Sequence, residues 1–348
     1  MNLKSDFSKF VKGIKPSDEL AVLYDTDADG ICAAVIFTKA MEKMGHQVER
    51  FIPSSHANFN VERIRALKEE NVNKVIILDF AADQYSDFFT ELLKDFEAVL
   101  LVDHHKIYKD YNSKNCVFIK AQFIRKDLDG SNYCTAKLVF DLFSYVLDIS
   151  FLDWLAAIAL ISDMSGTPWQ NFLKKVYTKH NLSKRKCIDL GNIINAGKQV
   201  DPPQVERALE VTLEAKKPED ITNSKFSKVA RDLNNEIEFW INKFEEKAEK
   251  KDDIWLYEID PSARIGSVVS TVLALKYPND SIIVIRRHNN WVSINARNHN
   301  SKRPVNEFLE KATKGFKGAN AGGHIPAAGA SIREKDLKEF KKRIWELA

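Results

Sequence analysis

Four short runs of Val, Ile and Leu in the first 120 residues, at 20–24 (LAVLY), 74–80 (KVIILDF), 98–102 (AVLLV) and 116–121 (CVFIKA), constrain this chain more than any other feature. Runs this short and continuously apolar mark strands buried on both faces, as in a parallel sheet. The segments between them have helical spacing instead. Residues 30–44 are rich in apolar and small side chains, and Val61, Ile64 and Leu67 recur every three positions. A further strand is expected over 46–52, after the first of these helices. About five strands alternating with helices imply a doubly wound α/β sheet. Two strongly apolar helical stretches follow at 138–147 and 151–161, and Gly166 and Pro168 interrupt the pattern near 167–168.

The rest of the chain changes character twice. Residues 180–250 carry no strand pattern, and Val229, Leu233, Ile237, Ile241 and Phe244 form a four-residue apolar repeat expected on one helix face. The stretch KFEEKAEKKDD mixes both charge signs at helical spacing and reads as a solvated helix surface. From Ile254 strand patterns return in IWLYEI, SIIVIRR and WVSINAR, with helices through 267–276 and 334–347, where Leu337, Phe340, Ile344 and Leu347 share a face. A length of 348 residues exceeds what one core usually organises. The expected organisation is a doubly wound parallel-sheet domain over 1–170, a helical connector over 171–251 and a smaller α/β domain over 252–348.

Composition narrows the class of protein. An apolar fraction of 44% and a charged fraction of 29% are those of a soluble protein. No apolar run approaches the roughly 20 residues of a membrane span. The N-terminal stretch MNLKSDFSKFVKGIKPSDEL lacks the apolar core of a signal peptide, so a cytoplasmic location without a membrane partner is expected. Cys32, Cys116, Cys134 and Cys187 show no CxxC spacing and read as buried thiols, not as a zinc site or disulfide framework. A net charge of +3 does not announce a nucleic-acid binder; the local distribution of charge is what matters.

Chemistry concentrates at the ends of the apolar runs. In LYDTDADGI, Asp25, Asp27 and Asp29 alternate directly after a strand and before Gly30 and a helix, so extended backbone would turn them to one side. Converging carboxylates repel unless cations neutralise them. An EF-hand loop is excluded, because Ile36 stands where its twelfth-position Glu belongs and a strand, not a helix, precedes. Asp79, taken alone, reads more often as a helix cap than as a ligand, and His104 alone is no stronger a signal. The coincidence that acids or histidines end three strands, with Asp79 after the second run and Asp103, His104 and His105 after the third, is what points to a site, because ligands of open α/β sheets bind there.

These residues carry a family resemblance. Asp25-Thr26-Asp27-Ala28-Asp29-Gly30, Asp79, Asp103-His104-His105 and Ser162-Asp163 resemble the four ordered motifs of the DHH phosphoesterases, and Ala321-Gly322-Gly323-His324 followed by Ala327-Ala328-Gly329 resembles the glycine-rich motif of their DHHA1-type C-terminal domain. The resemblance implies two divalent metal ions. Asp25, Asp27 and Asp79 would hold one, and Asp29, Asp79, His104 and Asp163 the other, with Asp79 bridging. Two cations about 3.5–4 Å apart can share and activate a hydroxide in line with phosphorus. The mixed carboxylate and imidazole set suits Mn²⁺ better than Mg²⁺, which is the alternative. His105 is expected to contact the phosphate, and Asp103 to orient a histidine from behind. The sequence departs from the family pattern at Asp25, where many members carry His, and at Ala321, where the motif often has a third glycine. Asp at the first position moves the resemblance toward the RecJ-like branch.

In the second domain Arg286, Arg287, Arg297, Lys302, Arg303, Lys311, Lys314 and Lys317 face only Glu307 and Glu310 within their own segment, a local basic excess. Basic residues tracking successive phosphates are one reading, a solvated basic helix at Lys311, Lys314 and Lys317 the other. By the resemblance, Arg297 and His324 contact substrate, with Gly322 and Gly323 allowing close approach. Arg264 and Ser267, at the mouth of a helix, resemble a second contact. Trp291, His288 and His299 read as packing or as base-stacking groups. The expected function is a RecJ-like, metal-dependent exonuclease that degrades single-stranded DNA or RNA from one end, with replisome components such as the archaeal GINS complex as candidate partners. Within the same superfamily an oligoribonuclease (nanoRNase), a cyclic-dinucleotide phosphodiesterase or a nucleotide phosphatase is the alternative. A non-catalytic Cdc45-like replication scaffold is the alternative of another class, and its mark would be the loss of ligand positions that here all remain acidic or histidine.

Overall fold

Five strands, β1 (Leu20–Asp25), β2 (Arg50–Ser54), β3 (Lys74–Leu78), β4 (Ala98–Asp103) and β5 (Cys116–Lys120), pair in parallel in the order β2-β1-β3-β4-β5. They belong to a computed structural model that describes residues 2–54, 60–201 and 203–347. The sheet is buried on both faces, as continuous apolar runs require. On one face Leu23, Ile77, Leu101 and Phe118 pack against Ile64, Leu67, Phe89 and Leu92 of the helices Val61–Glu69 and Ser86–Asp95. On the other lies the helix Ala28–Lys43, itself in contact with Thr135–Ser144 and Asp153–Ser162. The helix Ala28–Lys43 is apolar around its whole circumference because neighbours surround it. The chain crosses from β1 to a neighbour on either side, β2 and β3, which makes the gap between β1 and β3 the switch point of the sheet.

The chain divides into two compact units, Met1–Lys198 with Pro203–Ala230, and Gln199–Pro202 with Arg231–Ala348. The helices between 171 and 251 are thus distributed over both. In the helix Phe226–Asn242 and just beyond it, the buried residues are Phe226, Ala230, Leu233, Ile237, Trp240 and Phe244. Val229 and Ile241, expected on that face, are only half-buried. A strict four-residue repeat drifts around a helix of 3.6 residues per turn, so the buried stripe alternates steps of three and four.

The second unit holds a mixed sheet in the order β10-β11-β9-β8-β7-β6, formed by β6 (Glu249–Lys251), β7 (Ile254–Ile259), β8 (Ser281–His288), β9 (Trp291–Asn298), β10 (Asn320–His324) and β11 (Ala327–Arg333). Two elements differ from expectation. The charged stretch read as a helix surface ends in β6, a three-residue edge strand of fully exposed side chains, which is how sheets keep edges from pairing with other chains. The glycine-rich motif forms the β10–β11 hairpin, which apolar patterning could not announce because Gly has low strand preference. Leu337, Phe340 and Ile344 seal one face of the sheet as expected, whereas Leu347 is exposed.

All four cysteines are free and buried. Among the described residues, no helix is long and apolar enough to cross a membrane. Phe340, fully buried between its helix and the mixed sheet, is expected to contribute heavily to the second unit. Phe340→Ala should lower its unfolding free energy by about 3–5 kcal/mol, read as a shifted urea midpoint at unchanged slope.

Candidate functional site

Strand register assembles the site. Tyr24 pairs with Leu78, Leu78 with Val102, and Asp103 with Lys120. The residues that follow in β1 and β3, Asp25 and Asp79, therefore stand with Asp103 and Lys120 in one row along the carboxyl ends of four adjacent strands, across the switch point. Asp79 leaves β3 with φ of 60°, a left-handed conformation that Asp tolerates better than most residues, while its N–H donates to the Val102 carbonyl at 3.1 Å. That turn aims its carboxylate along the row instead of into a further strand residue.

The first motif wraps around the start of the helix Ala28–Lys43. Asp27 is its N-cap and accepts from the N–H groups of Asp29 at 2.9 Å and Gly30 at 3.2 Å. A Cβ on Gly30 would lie 2.2 Å from the Asp25 carbonyl oxygen, so glycine is required for the tight turn. Asp29, buried, accepts from the N–H groups of Thr135 at 2.7 Å and Ala136 at 2.8 Å, the N-terminus of the helix Thr135–Ser144. The Thr135 hydroxyl donates to Asp79 Oδ1 at 2.8 Å. Each of these carboxylates keeps free lone pairs beyond those contacts.

Three groups of donor atoms each lie within 4.8 Å of one another: Asp25, Asp27 and Asp79; Asp29, His104 and Asp163; and Asp79, His104 and His105. His104 Nε2 is 3.5 Å from Asp79 Oδ1 and its Nδ1 is 3.8 Å from Asp163 Oδ2. His104 Nδ1 and Asp163 Oδ2 are buried and have no hydrogen-bond partner among the described residues. Buried polar atoms without partners are costly, and two of them facing one another across 3.8 Å fit a shared divalent cation. The donor set, carboxylates with one imidazole, is also that of a hard or borderline divalent metal.

Electrostatics reinforce this. Burial and the Asp27 charge push Asp25 up to about 6 and Asp29 up to about 7. Burial and Asp29 push Asp163 to about 7, and Asp79 lies well above the carboxylate range through burial and the surrounding Asp29, Asp27 and Asp25. Without cations the cluster holds protons that a metal must displace. Asp103 behaves oppositely: burial would raise it, but the His105 hydrogen bond and the Lys120 charge hold it well below the usual range. Its Oδ1 accepts from His105 Nδ1 at 2.7 Å and its Oδ2 from Lys120 Nζ at 2.6 Å. Lys120, fully buried, also donates to Asp83 at 2.8 Å. Burial lowers His105, but its bond to Asp103 dominates and brings it to about 9. The imidazole is therefore a cation with an exposed outer edge, fit to meet an anion.

Sequence reasoning missed Thr135, Lys120, Asp83, Asn195 and Lys198. Asn195 accepts from the Ala28 N–H at 2.9 Å and donates to Ser162 at 3.2 Å, and Lys198 lies 3.3 Å from Asp27. No motif marks Thr135, Asp83, Asn195 or Lys198, whereas a lysine ending the apolar run CVFIK was a signal in itself.

In the second unit, register again fixes spacing. His324 pairs with Ala327 and Ala327 with Arg297, so the three side chains share one face of the hairpin and β9. His324 and Arg297 are two strand spacings apart, about 9.5 Å, with only a methyl group between them. Arg297 donates to the Ser267 hydroxyl at 3.5 Å. A Cβ on Gly323, at φ of 139°, would lie 2.5 Å from the Ala327 carbonyl, so the hairpin itself needs that glycine; one on Gly322 would meet nothing, which leaves open space over the backbone. Arg264 pairs with Asp201 at 3.3 Å. The basic segment is also less free than its composition suggests: Arg286 pairs with Asp201 at 3.2 Å, Arg287 with Glu258 at 3.0 Å and Arg303 with Asp253 at 2.7 Å. The acids come from other elements, beyond the reach of a local count. One face of Trp291 is covered by Arg333 at 3.8 Å.

The chain carries a DHH family N-terminal domain over residues 19–161 and a DHHA1 domain over residues 257–348. Its fold is similar to that of exonuclease RecJ bound to manganese, at 16% identity and a TM-score of 0.77 over 99% of this chain and 93% of the other. RecJ from Thermus thermophilus in complex with Mn²⁺ is similar at 16% identity and a TM-score of 0.71, over 99% of this chain and 54% of that one. CDC45 from Entamoeba histolytica is similar at 10% identity and a TM-score of 0.63, over 98% of both chains. No curated protein matches the sequence significantly. The fold is thus that of the DHH phosphoesterases.

The raised acids have a measurable consequence. A carboxyl whose folded-state pKa exceeds its unfolded value binds its proton more tightly in the native state, so native stability falls as pH rises through that interval. His105, raised to about 9, adds a contribution present below its ordinary value near 6.5 and lost as pH rises through about 9. Metal-free protein should therefore lose thermal stability steadily from pH 5 to 9, and Mn²⁺ should flatten the profile by replacing the protons of Asp25, Asp29 and Asp163. Thermal melts across that range, with and without Mn²⁺, check it.

Proposed function

We propose that this chain is a metal-dependent phosphodiesterase that removes nucleotides from one end of single-stranded DNA or RNA. The observation that carries the reading is the buried pair His104 Nδ1 and Asp163 Oδ2, without a hydrogen-bond partner among the described residues and set among four further carboxylates, a site that stays unfavourable until a cation joins it. Asp25, Asp27 and Asp79 are assigned to one divalent ion and Asp29, Asp79, His104 and Asp163 to a second, with Mn²⁺ preferred over Mg²⁺. When bound, such a pair polarises the phosphate and supplies the nucleophile.

The chain's own groups do the rest. Asp79 stands with Asp25 and Asp27 in one donor group and lies 3.5 Å from His104 of the other. Asp103, held by Lys120, keeps His105 protonated at Nδ1 and turned outward, so that its other edge can stabilise charge on the phosphate oxygens. Arg297 and His324 are assigned to a substrate phosphate. The likeness to RecJ across nearly the whole chain supports a nucleic-acid substrate. A smaller substrate, such as an oligoribonucleotide of a few residues, is the second reading, and the ion pairs that engage Arg286, Arg287 and Arg303 favour it. A scaffold without chemistry is disfavoured by the retained donor set.

End-labelled ladders of single-stranded DNA and RNA with Mn²⁺ separate the two readings. Progressive shortening of long strands is expected; cleavage confined to di- and trinucleotides would replace the first reading with the second. Asp79→Ala should abolish turnover and reduce bound metal in both cases, and retained activity with full metal content would remove Asp79 from the bridging role. Arg297→Ala should reduce kcat/KM on a dinucleotide and a long strand alike, by about 1.5–3 kcal/mol for a lost charged hydrogen bond. A loss on long strands alone would instead place Arg297 away from the reacting phosphate.

A further inference from the structure

Lys198 stands at the candidate metal centre, although its sequence context gives no reason to expect it there. Its Nζ lies 3.3 Å from Asp27 Oδ2, with the two side chains 37% and 33% exposed, so the pair sits at the open side of the carboxylate cluster. Its charge also acts on Asp25, against the upward push of burial and Asp27. The position is built, not accidental. Lys198 is near the end of the helix Lys184–Gln199, which Asn195 ties both to the Ala28 N–H and to Ser162, the neighbour of Asp163. The same helix is pressed close at two glycines. A Cβ on Gly191 would lie 3.0 Å from the Ser162 hydroxyl, and one on Gly197 would lie 2.8 Å from Ala208 and 2.9 Å from the Gln204 carbonyl.

Stability does not explain this construction, since ion pairs this exposed contribute little. The balance of charge does. A divalent ion held by Asp25, Asp27 and Asp79 would repel an ammonium at the same carboxylate. The four-carbon stem lets the ammonium swing away without disturbing the helix. It then needs another anion, and a substrate phosphate brings one.

We propose that Lys198 is a substrate-binding residue of this centre: it neutralises Asp27 before metal binds, yields that carboxylate to a divalent ion, and then pairs with a phosphate oxygen of the substrate. The inference rests on reading the site as a phosphoester-hydrolysing metal centre. It does not depend on the length of the substrate.

The test measures binding on the intact chain, without turnover. Mn²⁺ is titrated calorimetrically into the wild-type protein, Lys198→Ala and Lys198→Arg, and orthophosphate is then titrated into each Mn²⁺-loaded protein. Lys198→Ala should bind Mn²⁺ about tenfold more tightly, because a competing cation is gone. It should bind orthophosphate about tenfold more weakly, because a charged hydrogen bond is lost. Lys198→Arg should retain phosphate binding. Unchanged or weaker Mn²⁺ binding in Lys198→Ala, or unchanged phosphate binding, overturns the proposal. If the paired changes appear in a protein that cleaves no strand of any length, the nuclease reading fails while this one stands; strand cleavage without the paired changes has the reverse meaning.

Discussion

Everything in the first unit is arranged around the mutual repulsion of carboxylates buried at the ends of adjacent strands. Two like charges about 4 Å apart oppose each other by roughly 4 kcal/mol even at the effective dielectric typical of protein sites, and here several share one row. The fold offsets this with backbone dipoles first. The N-terminus of Thr135–Ser144 meets both oxygens of Asp29, and the N-terminus of Ala28–Lys43 meets Asp27. The Thr135 hydroxyl then serves Asp79. What these contacts leave uncompensated includes Asp25, Asp79, His104 and Asp163, and that remainder is where cations would belong. Stability and chemistry therefore converge on one place.

Behind the row, Lys120 does for Asp103 what a cation would do for the acids in front. It is fully buried and divides its hydrogens between Asp83, Asp103 and the Lys106 carbonyl. Asp83 in turn accepts from the N–H groups of Tyr108 and Lys109, which closes the loop that follows the two histidines. Asp103 is thus kept ionised far from solvent, and an ionised Asp103 fixes the direction of His105. A buried ion pair is poor evidence for stability. Here its return is orientation, since removing the lysine would leave Asp103 buried, charged and free to turn.

Much of this was legible in the sequence because it is periodic or local. The four apolar runs correspond to β1, β3, β4 and β5, whereas β2, expected over 46–52, lies at Arg50–Ser54; acids directly after such runs can only lie at carboxyl ends. The second unit's β7, β8 and β9 were equally visible as apolar runs. What depends on distant partners was not legible. The amides of Thr135 and Ala136 serve Asp29 from another helix, and nothing near them in the chain says so. Asn195 and Lys198 lie on a helix whose pattern describes only its packing. Arg286, Arg287 and Arg303 looked free because Asp201, Glu258 and Asp253 are remote in sequence. The β10–β11 hairpin escaped notice because glycine and alanine carry no pattern.

Both units set functional spacing by the same device, strand register. Parallel pairing aligns Asp25, Asp79 and Asp103 at one end of a sheet; antiparallel pairing aligns His324, Ala327 and Arg297 across three strands. Register has a side-chain period of two, so a slip of one residue would turn Arg297 to the opposite face and not merely shift it. This gives the two glycines of the hairpin different meanings. Gly323 guards the register, because any side chain there collides with the Ala327 carbonyl. Gly322 guards nothing in the fold, since a side chain would meet open space. A position that packing leaves indifferent, beside Arg297 and His324 separated by a methyl, keeps its backbone open from outside. The motif thus combines one glycine required by the backbone with one that leaves space above it, a distinction that the sequence, with two adjacent identical residues, could not express.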